Sequence, residues 1–415
     1  MLSVKDKDII RSLASEYMQI ASLPVQNERR KLWSDHFSLN ATRPPVMASF
    51  GMHNRWCTGA FGDSVMECEN PELRGYERTL KMALFQHEIG DDTILEPWLT
   101  VAASTGDGWG GLWGLKSRHI PPDSPDGAWK YDPALAEYTD AEKLEVPHHF
   151  VDEADTQRRI GLLSEAVGDI IPININRGPR CLGFAADIIT ILCFLRGLEL
   201  VMTDMYENPE WLHGVLAYMR DGVLTNQSEA ETAGDLSLAC SMNGETPYCD
   251  ELEWPKANSG PRKLSQLWGF CAAQEMTLVS PAQHDEFVLQ YQLPIMKRFG
   301  LVHYGCCENL TKKIDMLRQI PNLRSIAVTP SADVAKCAEQ IKDDYAISWR
   351  PNPTDMVCAR FEPDRIRKIV RSTLESTRDC HIHIHLKDVE TQCGDNDRLR
   401  KWTEIVKSEL DNAGY

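Results

Sequence analysis

The fold is decided by residues 300–349, which read GLVHYGCCENLTKKIDMLRQIPNLRSIAVTPSADVAKCAEQIKDDYAISW. In this stretch, short apolar segments typical of strands alternate with longer segments typical of helices. The pattern predicts strands over 300–307, 323–329 and 345–349, separated by helices over 309–319 and 332–342. Helices of this length between consecutive strands are typical of right-handed crossovers, which join parallel strands. The stretch therefore predicts an α/β protein with a parallel sheet.

The same alternation continues on both sides of this stretch. Further strands are predicted over 169–176, 235–243 and 380–389, and further helices over 155–167, 183–196, 208–225, 281–298, 362–376 and 394–411. About six such units, with one or two more strands expected upstream, favour a closed (β/α)8 TIM barrel. An open doubly wound sheet is the alternative, but no Gly-rich phosphate-binding fingerprint follows an early strand. In a barrel, we expect the active site at the carboxyl ends of the strands.

The N-terminal part of the chain has a different character. Apolar residues at helical spacing predict helices over 3–20 and 22–34, so residues 1–40 are interpreted as a helical extension. Residues 41–415 are interpreted as the barrel. Its first part is irregular, with Gly/Trp-rich and Pro/Asp-rich runs that we expect to form long loops over the barrel mouth.

Composition excludes several classes of partner. The 415 residues include 61 acidic and 44 basic side chains, which gives a formal net charge of −17. Nucleic-acid binders carry a basic surface, and so do proteins that bind anionic membranes, so neither partner is expected. The longest apolar run, Ile188–Leu195, is far too short to span a bilayer. The first residues also lack the apolar core of a signal peptide, so a cytoplasmic location is expected.

The 13 cysteines are not expected to form a disulfide framework, because their number is odd and no export signal is present. Most of them stand singly in apolar or helical runs, where a buried thiol is the ordinary interpretation. These are Cys181, Cys193, Cys240, Cys271, Cys337 and Cys358. The adjacent pair Cys306–Cys307 is the exception.

That pair belongs to the strongest local signal, HYGCCE at 303–308, which lies between a predicted strand and a predicted helix. Two thiols and an imidazole are soft ligands suited to zinc, and a helix N-terminus favours the thiolate that a metal requires. His303, Cys306 and Cys307 are therefore candidate metal ligands, if the chain bends after Gly305. The alternative is a set of small buried residues at a tight turn.

The last predicted strand places three imidazoles, those of His381, His383 and His385, on one face. A ligand or acid–base face inside the barrel is one interpretation. The favoured one is a half-buried strand whose polar face points outward. Lys387 and Asp388 follow at the catalytic end, and with Glu308 they are the candidate catalytic residues.

Tryptophans are concentrated in segments expected to form loops near the site, at positions 109, 113, 129, 254, 268 and 349. They would either line a flat substrate or pin long loops to the barrel. The candidate substrate-binding residues are Trp109, Trp268, Trp349, Tyr304 and Asn243.

Four segments of the C-terminal portion resemble the uroporphyrinogen decarboxylase superfamily, and in particular its branch related to corrinoid-dependent methyltransferases. They are AQEMTLVSPAQHDEFVLQYQLPIMKRFGLVHYGCCENL, IPNLRSIAVTPSADV, DYAISWRPNPTDMV and IHLKDVETQCGDNDRLRKWTEI. The early segments RPPVMASFGMHNRW and LKMALFQHEIGDDTILEP fit the same branch. The resemblance implies a (β/α)8 barrel.

In zinc-dependent members of this superfamily, a His-x-Cys element and a later Cys bind the metal. The matching stretch here, 303–307, carries its cysteines one or two positions later, and Lys387-Asp388 stand where the later Cys is expected. The arginine-rich N-terminal element of true decarboxylases is replaced by TRPPVM. The net charge of −17 also disfavours a polyanionic porphyrinogen as substrate.

The resemblance implies a methyltransferase that takes a methyl group from a methoxyaromatic donor and passes it to the Co(I) corrinoid of a separate protein. Glu308 or Asp388 as acid, or zinc held by the two cysteines, would activate the leaving group. Alternatives are a zinc-dependent methylcobalamin:thiol methyltransferase, a uroporphyrinogen decarboxylase-like lyase and a non-catalytic binding barrel. The sequence leaves the oligomeric state open, a homodimer included.

Overall fold

The computed structural model describes residues 2–50, 60–106, 111–124, 130–238, 246–357 and 360–415. The strands are β1 (Val46–Phe50), β2 (Leu99–Ala102), β3 (Arg118–Ile120), β4 (Lys130–Asp132), β5 (Ile173–Asn176), β6 (Trp268–Cys271), β7 (Leu301–Tyr304), β8 (Leu323–Val328), β9 (Ala346–Trp349) and β10 (His381–Val389). Short 3-10 turns include Gly183–Ala185 and Gln274–Met276.

The helices are α1 (Val4–Ala21), α2 (Pro24–Phe37), α3 (Pro71–Ile89), α4 (Glu153–Val167), α5 (Ile189–Arg196), α6 (Leu198–Glu207), α7 (Pro209–Ala233), α8 (Pro281–His284), α9 (Gln290–Met296), α10 (Ile314–Leu317), α11 (Val334–Ile341), α12 (Pro353–Met356), α13 (Pro363–Ser376) and α14 (Arg398–Ala413). A π-helical segment, Asp285–Leu289, joins α8 to α9. Within the described ranges, no helix combines the length and the apolar character needed to cross a bilayer.

The predicted α/β class is confirmed. Six parallel strands form one sheet in the order β1-β10-β9-β8-β7-β6, so the first strand of the chain pairs with the last. A second parallel sheet contains β2 and β5, and an antiparallel hairpin contains β3 and β4. The helices between β7, β8, β9 and β10 are the expected crossovers.

The large sheet curls strongly. Lys387 on β10 reaches within 3.4 Å of the Cys306 sulfur, which follows β7. Three strand spacings, about 14 Å along a flat sheet, separate these two strands. A side-chain contact between them therefore requires the sheet to bend into a half-barrel, with Lys387 and Cys306 on its concave face.

A continuous eight-stranded barrel is not confirmed, because side chains occupy the free edges of β1 and β5 among the described residues. The backbone N–H groups of Val46 and Ala48 donate to the carboxylates of Asp92 and Asp91. On β5, the Asn258 side chain accepts from Ile175 N and donates to Ile173 O. These groups supply the hydrogen bonds that a neighbouring strand would otherwise make.

The strands predicted around β5, β7, β8, β9 and β10 are confirmed. The one or two strands expected upstream had no assigned positions, and β3, β4 and β6 went unpredicted. Residues 235–238 lie outside any strand, contrary to prediction, and the rest of that predicted strand lies outside the described residues. The helix predicted over 309–319 is only α10, because residues 306–313 form a turn. The division into 1–40 and 41–415 stays a prediction.

Candidate active site

The site begins at the turn that follows β7. Gly305 has a φ of 102°, and a Cβ at this position would lie 2.8 Å from Leu310 Cδ1. Its N–H donates to Cys271 O on the neighbouring strand. The turn therefore needs glycine for both backbone conformation and space. It places the sulfurs of Cys306 and Cys307 3.5 Å apart, with Cys306 buried and Cys307 exposed.

The Glu308 carboxylate fixes the backbone of this turn by hydrogen bonds. Its side chain is fully buried, and its two carboxylate oxygens accept the N–H groups of Cys306 and Ala273, each at 2.8 Å. Arg350, at the end of β9, donates to Cys306 O at 2.7 Å. Glu308, predicted to be a catalytic acid, thus holds the backbone of Cys306 with one oxygen and that of Ala273 with the other.

Lys387 places a charged group beside the thiols. Its Nζ lies 3.4 Å from Cys306 Sγ and 3.6 Å from the Asp388 carboxylate. The Lys387 side chain is 13% exposed and that of Asp388 is 45% exposed. Asp388 has a φ of 58°, an uncommon conformation for a residue other than glycine. The predicted catalytic pair thus lies at the carboxyl end of β10, beside the Cys306 sulfur.

The ammonium of Lys387 and the hydrogen bond between the sulfurs affect the two thiols differently. A positive charge this close stabilises a thiolate at Cys306. The hydrogen bond to Cys306 raises the pKa of Cys307, assisted by burial and by the charge of the neighbouring sulfur, while Lys387 opposes the rise. The raised pKa of Cys307 favours its neutral thiol form.

The two ring nitrogens of His303 on β7 face Ser325 and Arg350. Its Nδ1 is 3.0 Å from Ser325 Oγ, and its Nε2 is 3.2 Å from an Arg350 nitrogen. A guanidinium in that place repels a cation, so the predicted zinc ligands do not fit a three-ligand site. Among the described residues, no three His, Cys, Asp or Glu side chains converge as a metal site.

Tyr304 faces the helical layer behind the sheet. Its hydroxyl donates to Gln292 Oε1 and lies 2.9 Å from His284 Nε2, and the Lys313 ammonium lies 3.1 Å from His284 Nδ1. Burial, with the charge of Lys313, lowers the pKa of His284 to about 3. Burial also lowers the pKa of Lys313 to about 8, against the opposing charge of Glu308. This chain of side chains supports β7 from the convex side, and does not bring Tyr304 to the thiols.

Two carboxylic acids near the turn, the buried Asp187 and the half-buried Glu275, were not predicted from the sequence. Burial and the charges of Glu275 and Glu308 raise the pKa of Asp187 well above its ordinary value, and burial raises that of Glu275. Thr190 donates to both side chains. The only signal in the sequence was a single acid, Asp187, within the apolar run around 185–195.

The predicted aromatic residues are divided between the two ends of the strands. Trp268 is the first residue of β6, not a loop residue, and packs edge-on against Phe37 at the amino end. Trp349 is the last residue of β9 and is buried. Trp109 and Asn243 lie outside the described residues.

The outward polar face predicted for β10 is wrong. His383 and His385 are fully buried on the concave side. The His383 ring lies 2.7 Å from that of His36 on α2, and His385 lies 2.8 Å from Ser49 Oγ on β1. Helix α2 and strand β1 cover these imidazoles, which the alternating pattern alone could not show.

This chain resembles a known protein in structure but not in sequence. No family model and no curated protein matches this sequence. Among solved structures, a methyltransferase from Methanosarcina mazei matches with a TM-score of 0.51 and 12% sequence identity, covering 93% of this chain and 98% of that chain. At this identity the likeness shows a shared fold over nearly the whole chain.

Proposed function

We propose that this protein is a methyltransferase that takes the methyl group of a methoxylated aromatic compound and transfers it to the Co(I) corrinoid of a partner protein. The observation that carries the proposal is the Lys387 ammonium, held between Cys306 Sγ and the Asp388 carboxylate at the carboxyl end of β10. The fold shared with a methyltransferase supports this choice of chemistry.

The difficult part of the reaction is the departure of an aryl oxide. When the methyl–oxygen bond breaks, the oxygen takes the bonding electrons and becomes a poor leaving group unless it receives a proton. Lys387 is the donor that fits, because its Nζ carries the proton and its side chain is only slightly exposed. The partner's corrinoid supplies the nucleophile that accepts the methyl group.

The neighbours of Lys387 have distinct roles in this proposal. Asp388 and Cys306 orient the Lys387 ammonium, because Nζ lies 3.6 Å from the Asp388 carboxylate and 3.4 Å from Cys306 Sγ. Glu308 and Arg350 act as positioning residues, because they hold the N–H and the C=O of Cys306. The exposed Cys307 and half-exposed Asp388 lie on the side from which donor and partner would approach.

We also propose that the eight parallel strands belong to one barrel. The pairing of β1 with β10 is what ring closure requires, and β2 and β5 would fill the gap between β1 and β6. Asp91, Asp92 and Asn258 would then mark the places where side chains replace ladder hydrogen bonds. This arrangement would put the site at the carboxyl end of the barrel.

The zinc-dependent thiol methyltransferase is the less favoured alternative. It needs a His303 nitrogen for the metal, and the guanidinium of Arg350 lies 3.2 Å from that nitrogen. A decarboxylase-like lyase is disfavoured by the net charge of −17, which opposes a polyanionic substrate.

The test is an anaerobic incubation of the protein with a Co(I) corrinoid protein and a panel of methoxylated aromatics, with the released phenol measured by chromatography. We expect phenol from at least one donor, in equal amount to the Co(I) consumed. Lys387→Met should lower the rate by about 10²–10⁴-fold, the usual contribution of a general acid. Lys336→Gln, at an exposed lysine, is the matched control and should leave the rate unchanged. No phenol from any donor would contradict the proposal.

A further inference from the structure

We propose that Cys306 and Cys307 form a thiol–disulfide exchange site, which a small disulfide converts into a disulfide between these adjacent residues. The two sulfurs already lie 3.5 Å apart. They differ in access, since Cys307 is exposed and Cys306 is 3% exposed. An accessible thiol beside a protected one is the arrangement by which exchange reactions proceed in two steps.

Each step balances. Cys307 passes its proton to the hydrogen-bonded Cys306 sulfur as it attacks one sulfur of the small disulfide, forms a mixed disulfide and releases one small thiolate, which takes that proton from Cys306. Cys306 then attacks Cys307 Sγ, forms the second sulfur–sulfur bond and releases the other small thiolate. The two released thiolates take up the two protons that the cysteines lose. The small disulfide is thus reduced to two thiols as the protein is oxidised by two electrons.

The surroundings of Cys306 suit it to the second step. Lys387 Nζ lies 3.4 Å from its sulfur and stabilises the attacking thiolate. The backbone of Cys306 is fixed at both ends of its peptide unit, by Glu308 at the N–H and by Arg350 at the C=O. The sulfur therefore stays beside Cys307 while the mixed disulfide exists.

The product would be easy to reduce again. Consecutive Cα atoms are about 3.8 Å apart, below the range of about 4.4–6.8 Å that disulfides prefer. A disulfide at this position is therefore strained and reversible by an external dithiol. Its formation would remove the Cys306 thiol that Lys387 contacts, so oxidation would alter the surroundings of the charged group on which methyl transfer is proposed to depend.

A second exposed cysteine provides an internal comparison for the Cys306–Cys307 site. Cys393 is the other exposed cysteine among the described residues, and no cysteine adjoins it in sequence. Trypsin separates the two sites, because peptide 299–312 contains only Cys306 and Cys307 and peptide 388–398 contains only Cys393. The fate of each site can therefore be followed in one sample.

The experiment treats the full chain with glutathione disulfide at neutral pH and analyses both peptides by mass spectrometry. In the wild type, we expect peptide 299–312 to lose two hydrogens without an adduct, and peptide 388–398 to carry a glutathione adduct. Cys306→Ser should trap the adduct on Cys307. Cys307→Ser should slow reaction at position 306 by about tenfold or more, since a buried thiol is poorly accessible. Dithiothreitol should restore both thiols.

Two further variants serve as controls. Cys393→Ser should leave the product of peptide 299–312 unchanged. Cys306→Ala replaces Cys306→Ser if the serine variant does not fold, as judged by its unfolding transition. A stable adduct on Cys307 of the wild type, or reaction at Cys306 as fast in Cys307→Ser as in the wild type, would overturn the proposal.

Discussion

The two ends of the concave face of the large sheet are built from different kinds of residue. At the amino end, Trp33 and Phe37 of α2 stack on each other and contact the His383 ring. At the carboxyl end, Lys387 lies beside Cys306, while Cys307 is exposed. The first end is sealed by aromatic rings, and the second places charge and sulfur near solvent.

The difference shows that a histidine or tryptophan gains its role from the end of the strand on which it lies. His383 and Trp268 are side chains that a sequence pattern associates with a binding site, yet α2 covers both. Lys387 is four residues beyond His383 on the same strand and lies among the polar groups of the other end. The amino end should therefore govern stability and the carboxyl end should govern reactivity.

The largest expected effect is at the sealed end. Trp33→Ala removes a fully buried ring and its hydrogen bond to Asp92 O, so we expect the free energy of unfolding to fall by about 3–5 kcal/mol. Urea unfolding measures this change. Tyr206→Ala, at a 74% exposed ring, is the control and should change stability by less than about 0.5 kcal/mol. Equal effects of the two variants would show that α2 does not seal this end.

Gly305→Ala should produce a smaller loss of stability at the reactive end. The added Cβ meets Leu310 at 2.8 Å and the backbone has a φ of 102°, so we expect a cost of about 1–3 kcal/mol. The variant should also change the rate at which iodoacetamide alkylates Cys306 and Cys307, measured on peptide 299–312. Unchanged stability together with unchanged alkylation would show that the turn does not depend on glycine.

The smallest expected effect concerns the support behind β7. The pKa of Lys313 falls from its ordinary 10.5 to about 8 in the folded chain, so the unfolded chain binds more protons between these two pH values. The wild type should therefore gain stability as pH rises from 8 to 10.5, by about 1 kcal/mol once solvent screening is allowed for.

Lys313→Met isolates this contribution above pH 7, where His284, whose pKa Lys313 also lowers, is neutral in both proteins. The stability of the wild type relative to the variant, measured by urea unfolding, should rise across this window and stay level between pH 7 and 8. A constant difference from pH 7 to 10.5 would show that Lys313 titrates like an exposed lysine.

Local patterns in the sequence were sufficient to predict the crossovers from β7 to β10. They were not sufficient for β1, whose partner β10 lies near the other end of the sequence, or for β6. Gly269 also weakens the strand pattern of β6. The structure requires a glycine at this position, because a Cβ would lie 2.6 Å from Phe299 Cγ. The side-chain hydrogen bonds at the free edges of β1 and β5 come from Asp91, Asp92 and Asn258, and no local pattern encodes such contacts.

For the site, the sequence indicated the right segments but not the roles within them. The spacing placed Cys306, Cys307 and Lys387 at the carboxyl ends of strands, where the structure has them. The contact between Lys387 and Cys306 joins residues 81 positions apart and arises from the curl of the sheet. The inward turn of Glu308 and the pairing of His303 with Arg350 likewise depend on three-dimensional packing.

The most direct test of the account is the dependence of the methyl-transfer rate on the acidity of the departing phenol. The wild type and Lys387→Met are compared on a series of methoxyaromatic donors, from strongly acidic phenol products to weakly acidic ones. If Lys387 protonates the leaving oxygen, the variant should lose most activity on donors of weakly acidic phenols and little on donors of acidic ones. The same loss on every donor would contradict a proton-donating Lys387.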